Sequence, residues 1–197
     1  MQVEQASEHT FVFTDLVGYT ALTDAEGDDR AAEVALMLYR RVRELLPEHG
    51  GEVVKALGDG IMLRCDDPAA AIRLGLRIVA ELESDPRFPP VRVGIHSGPA
   101  VGHEGDWYGR TVNVASRLCS VAPGGEVLVS EATRGAAGRI RKVGFADRRL
   151  HWLRNVTEPI ATYSARERPC PGATVRSAAR AAIARRGDGP PRAEFAA

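Results

Sequence analysis

Apolar residues along this chain switch between two periods, and the switches mark out its elements. Residues 10–14 (TFVFT) are β-branched and aromatic and predict a strand. A polar stretch follows to Gly27, with Gly18 near its start. From Ala31 the apolar positions are Ala31, Val34, Ala35, Leu38, Val42, Leu45 and Leu46, which is helical spacing. Pro47 and the pair Gly50-Gly51 are read as the stop of that helix. Residues 52–55 (EVVK) and 61–65 (IMLRC) predict two short strands, and LGDG between them is a hairpin signal. Asp67-Pro68 opens a second helix, proline being at home in a first turn, with Ala71, Leu74, Leu76, Ile78, Val79 and Leu82 as its apolar face. Phe88-Pro89-Pro90 breaks it, and residues 91–95 (VRVGI) alternate as a strand. Beyond lie a short predicted helix at 111–118, a strand at 126–130 and further short strands within 140–163.

The order strand, helix, strand, strand, helix, strand predicts an α/β (α+β) domain. Its core is a ferredoxin-like βαββαβ sandwich, an antiparallel sheet with helices on one face, extended by additional C-terminal strands. Residues 8–165 are expected to form this domain. Residues 166–197 differ in kind: they are rich in Ala, Arg, Pro and Gly, with seven arginines against three acidic residues, and predict a disordered basic tail.

Composition narrows the setting. Of the 197 residues 44% are apolar and 26% charged, enough for one domain with a proper core. Lysine plus arginine equals aspartate plus glutamate, so no global basic field argues for nucleic acid. The three cysteines, Cys65, Cys119 and Cys170, form no CxxC, which fits a reducing compartment and gives no zinc spacing. No apolar run approaches the roughly 20 residues needed to span a bilayer. The start MQVEQASEHT lacks a basic end and an apolar core. The expectation is a cytoplasmic chain without a membrane segment.

Two aspartates then stand out, Asp15 in FTDLVGYT and Asp59 in KALGDG. In a ferredoxin-like sheet the first strand lies antiparallel to the third, so the end of one abuts the start of the other, and the two acids occupy those places. The helical region near Gly18 opens at the same edge. Its backbone N–H groups at Val17, Gly18, Tyr19 and Thr20 suit phosphate oxygens. Two carboxylates with phosphate oxygens make a hard, oxygen-only site suited to Mg²⁺ or Mn²⁺. Taken singly, Asp15 is as well read as a helix cap and Asp59 as a turn residue.

A second constellation, DWYGRTVNVASR at 106–117, joins these motifs. Lys55 stands four residues before Asp59, Asp106 seven before Asn113, and Asn113 four before Arg117. With FTDLVGYT and KALGDG, this pattern resembles the class III nucleotidyl cyclase catalytic domain, the adenylate and guanylate cyclase family. The resemblance covers roughly residues 8–165, with LRNVTEPIATYSA resembling the closing strands. The short segment between HSG and GDWYG resembles the compact bacterial branches. It implies an adenylate cyclase that converts ATP to 3′,5′-cyclic AMP and pyrophosphate. Asp15, Asp59 and the Leu16 backbone would hold two Mg²⁺ or Mn²⁺ ions. Lys55 and Asp106 would read the base, Asn113 would orient the ribose and Arg117 would neutralise the α-phosphate. The resemblance also implies a homodimer with composite sites, the aspartates from one chain and the other four residues from its partner. Alternatives are a guanylate cyclase, or a non-catalytic nucleotide-binding or dimerisation module on the same fold. The first is disfavoured on chemical grounds. Adenine offers an acceptor at N1 and a donor at its amino group, matching a lysine and an aspartate; guanine reverses both.

Overall fold

The computed structural model describes residues 7–146 and 148–168. The chain opens with β1 (Ser7–Leu16), then α1 (Tyr19–Glu26) and α2 (Asp28–His49). A hairpin of β2 (Gly51–Leu57) and β3 (Gly60–Cys65) leads into α3 (Pro68–Glu83) and β4 (Val91–His103). The remainder runs β5 (Asp106–Tyr108), α4 (Arg110–Val121), β6 (Val127–Ser130), α5 (Glu131–Ala137), β7 (Val143–Phe145), β8 (Arg149–His151) and β9 (Ile160–Glu167). Among the described residues the main sheet has the order β2-β3-β1-β4-β6-β9-β7, with β5 hydrogen-bonded to β4 and β8 to β9.

The first four strands of that order are the ferredoxin-like core, and β1 lies antiparallel between β3 and β4. The strand pleat splits its residues between two cores. Val12, Leu16, Ile61, Leu63, Val93 and Ile95 face α2 and α3, where Val34, Leu38, Leu74 and Ile78 meet them. Phe11, Phe13 and Met62 point the other way, against Ala115 and Cys119 of α4. The sequence placed the core helices on one face, and that holds for α2 and α3; α4 covers the opposite face. Gly94 makes this possible, because a Cβ there would lie 2.1 Å from the Cys119 backbone nitrogen. Gly98, one pleat further on, faces the Thr111 side chain in the same way.

Several boundaries differ from expectation. Helix α2 runs through Pro47 to His49 and ends at Gly50, whose φ of 62° supplies the left-handed turn. Proline so near the end costs one hydrogen bond of the last turn, so the glycine and not the proline sets the stop. Strand β4 continues eight residues past Ile95, because its second half pairs with the start of β1 and with β5. Helix α5 and strand β5 carried no clear periodicity. The domain extends through β9 to Glu167, two residues into the stretch expected as a tail (166–197), because β9 stays paired with β7 there; the tail from 169 onward lies outside the described residues. Trp107 packs against His9 and Phe11, as a core aromatic should. Trp152 is 75% exposed.

Candidate active site

The acid pair forms as the strand order requires. Asp15 sits opposite Gly60 in the β1–β3 register, and the Leu16 N–H donates to the Asp59 carbonyl at 3.3 Å. Gly58 and Asp59 form the two-residue turn, Gly58 taking a φ of 70°. Gly60 has to be glycine for the tip to close on β1, since a Cβ would lie 2.5 Å from the Thr14 carbonyl. The Asp59 carboxyl is pushed above the usual carboxylate range, first by burial and then by the charge of Asp15. A half-buried carboxyl whose proton affinity a neighbouring acid raises marks a place where a cation is favoured. Among the described residues no three His, Cys, Asp or Glu side chains form a metal-binding group. A site of two carboxylates completed by substrate phosphates is the ordinary arrangement for Mg²⁺, so the residues present fit such an ion.

Arg92 is a residue the sequence reading missed. It is paired with Asp15 across β1 and β4, and its Nε donates to Asp15 Oδ2 at 2.7 Å. Its Nη2 bonds the same oxygen, and Nη1 donates to the Ser120 carbonyl at 2.7 Å. Together with Asp15, Gly60 and Ser116 it lines a cavity of about 200 Å³. The alternation in VRVGI placed a charged side chain on a sheet face, but only the β1–β4 register puts it beside the acid.

The expected phosphate cradle needs one correction. The Val17 N–H is not free: it donates to the Pro90 carbonyl at 2.8 Å, because β1 and the approach to β4 stay paired one step beyond the strand. Gly18, with φ 81°, caps α1, and Tyr19 and Thr20 begin it, so these three N–H groups precede the first possible intrahelical donor, Leu22.

Lys55 and Asp106 meet although 51 residues separate them: Lys55 Nζ donates to Asp106 Oδ2 at 2.6 Å. The other oxygen, Oδ1, accepts from the Trp107 N–H at 2.8 Å. The lysine holds the Asp106 carboxyl below its usual range, so it is an acceptor at neutral pH. Asn113 and Arg117 stand one turn apart on α4, Asn113 exposed and Arg117 half-buried. The Arg117 guanidinium bonds the Arg154 carbonyl and neither aspartate. Neither residue lines the cavity beside Asp15.

The histidines behave differently from one another. His96 is buried on β4 with its Nδ1 2.8 Å from Ser130 Oγ. Burial pushes its pKa down to about 4, with Arg110 contributing. His103 is half-buried, and its Nδ1 has no hydrogen-bond partner among the described residues. Cys65 and Cys119 are free, buried thiols whose pKa burial raises to about 12, so neither is poised as a nucleophile.

Comparison with known proteins agrees with this geometry. A family profile described as the adenylate and guanylate cyclase catalytic domain matches residues 1–149. The pH-sensitive adenylate cyclase MT1302 of Mycobacterium tuberculosis is 39% identical over 133 residues, which is 68% of this chain and 33% of that protein. The chain therefore spans about a third of the length of that curated relative. Among solved structures, the guanylyl cyclase Cya2 superposes with a TM-score of 0.77 at 20% identity, covering 87% of this chain and 98% of that one. The adenylyl cyclase CyaB from P. aeruginosa gives 0.74 at 20% identity, covering 86% and 98%. At such identities the two neighbours share the fold and do not choose between the bases.

Proposed function

Because this chain belongs to the adenylate and guanylate cyclase catalytic domain family, we propose that it converts ATP to 3′,5′-cyclic AMP and pyrophosphate at sites shared between two copies of itself. The observation that carries ATP as the substrate is the Lys55–Asp106 pair. A lysine donor and an ionised acceptor, held 2.6 Å apart, match the ring nitrogen and the amino group on one edge of adenine. Guanine would set donor against donor and acceptor against acceptor, leaving buried polar groups unpaired.

Cyclases of this family use divalent metal. Asp15, Asp59 and the Leu16 carbonyl would hold two Mg²⁺ or Mn²⁺ ions, which when bound lower the pKa of the ribose 3′-hydroxyl and neutralise the triphosphate. The 3′ oxygen then attacks the α-phosphorus in line, and pyrophosphate leaves. The open N–H groups of Gly18, Tyr19 and Thr20 hold phosphate oxygens at the start of α1. Arg92, beside Asp15, adds a cation where the triphosphate charge gathers. Asn113 fixes the ribose, and Arg117 balances charge growing on the α-phosphate.

Sharing between copies is supported by what one chain leaves apart. Its Arg117 is bound to the Arg154 carbonyl and not to its own aspartates. Leu57 and Tyr108 stay 45% and 53% exposed beside Asp59 and Asp106, where a partner would cover them. A two-fold pair would build two equivalent sites.

The test is a cyclase assay on the purified chain with ATP and GTP, Mg²⁺ and Mn²⁺, at two protein concentrations. Cyclic AMP should form, specific activity should rise with protein concentration, and GTP should turn over at least tenfold more slowly. Metal-dependent ATP binding without pyrophosphate release would favour a non-catalytic nucleotide module. Preference for GTP would favour a guanylate cyclase.

A further inference from the structure

Many of the surface arginines face a carboxylate: Arg30 faces Glu33, Arg41 Glu44, Arg87 Asp85 and Arg148 Glu131. The segment from α5 to β7 breaks this habit. Arg139, Arg141, Lys142 and Arg168 form no ion pair with any described residue, although the whole chain is neutral. With Arg134 they line a cavity of about 810 Å³. Glu131, also part of the lining, is already engaged, accepting from Arg148 at 3.0 Å and from the Tyr163 hydroxyl at 3.1 Å.

Arg134 and the backbone that carries Lys142 and Arg168 are held in place. The Arg134 guanidinium carbon lies 4.1 Å from the Tyr163 ring centre and 5.4 Å from that of Phe145. Lys142 adopts a φ of 63°, a conformation that costs a residue with a side chain, and its carbonyl is tied down by the Arg168 N–H at 2.8 Å. Five like charges around one concavity repel one another unless an anion sits among them. The place is also remote from catalysis, since β7 ends the sheet at the edge opposite the β2–β3 hairpin that carries Asp59.

We propose that this cavity is a second, non-catalytic site for a soluble polyphosphate anion. Guanidinium forks match phosphate oxygens in pairs, and five cations around 810 Å³ suit several linked phosphates better than one. Phe145 is the aromatic ring of the lining and Arg134 already stacks over it, which leaves no platform for a nucleobase.

Calorimetric titration of the full chain with inorganic triphosphate tests this. EDTA keeps the acid pair free of metal and so weakens the catalytic site's hold on the probe. The wild-type chain should bind one triphosphate, and a rise in salt should weaken it. The Asp59→Ala variant should bind equally well. The triple variant Arg139→Ala/Arg141→Ala/Lys142→Ala should bind at least tenfold more weakly. The single variant Lys142→Gly, which relieves the strained φ while removing one charge, should keep its melting temperature and still bind about threefold more weakly. The proposal is overturned if the wild type does not bind, if Lys142→Gly and the triple variant bind as the wild type does, or if only vesicles containing phosphatidic acid are bound.

Discussion

Asp106 shows how little freedom the proposed base-reading residues have. One carboxylate oxygen accepts from Lys55 and the other from the Trp107 N–H, so its orientation is fixed before any nucleotide arrives. The Asp106→Asn variant keeps the shape but can present an amide donor in place of an ionised acceptor. Its kcat/KM for ATP should fall by about tenfold to a hundredfold, the range for losing a hydrogen bond to a charged group, and its ATP-over-GTP ratio should narrow. Steady-state kinetics with both nucleotides checks this; an unchanged ratio would remove Asp106 from base selection. His96 gives a prediction about pH. Its pKa is 6.5 unfolded and about 4 in the fold, so between those values the unfolded chain binds the extra proton. Stability is therefore lost as pH falls from about 6.5 to about 4, by up to about 3 kcal/mol. Urea melts of the wild type and His96→Gln across that range should show the steeper loss in the wild type. Parallel curves would contradict a buried neutral imidazole.

At the scale of elements, the placement of α4, which carries Asn113 and Arg117, depends on two glycines of β4. In the Gly94→Ala variant the new methyl would meet the Cys119 backbone, which a helix cannot yield without shifting. Destabilisation of about 3 kcal/mol is expected, with cyclase activity falling alongside, as read by urea melts and by assay. A variant as stable as the wild type would mean that α4 packs more loosely than described. The same elements show what the sequence made legible. The LGDG turn and the Asp67-Pro68 start were readable because Gly58 and Pro68 act locally. The far half of β4 was not, since HSGPAVGH has no alternation of its own and is a strand only through its neighbours β1 and β5. Pro47 misled for a similar reason: a local breaker in the last turn is tolerated, and the true stop was the adjacent glycine.

For the whole molecule, the acid pair was legible because strand order alone brings Asp15 and Asp59 together, whereas Arg92 needed the register and the bonded Val17 N–H needed the path to Pro90. The proposed seam between copies is a property of no single residue. It is argued from Arg117 being bound to the Arg154 carbonyl rather than to its own chain's aspartates, and from the exposed Leu57 and Tyr108. The central claim is tested most directly by mixing two inactive proteins, Asp59→Ala and Arg117→Ala, and assaying cyclic AMP after exchange of subunits. Half the dimers would then be mixed, and each mixed dimer would hold one intact site of two, so about a quarter of the wild-type activity should return. No recovery, with mixed dimers demonstrated by native mass spectrometry, would contradict the shared site.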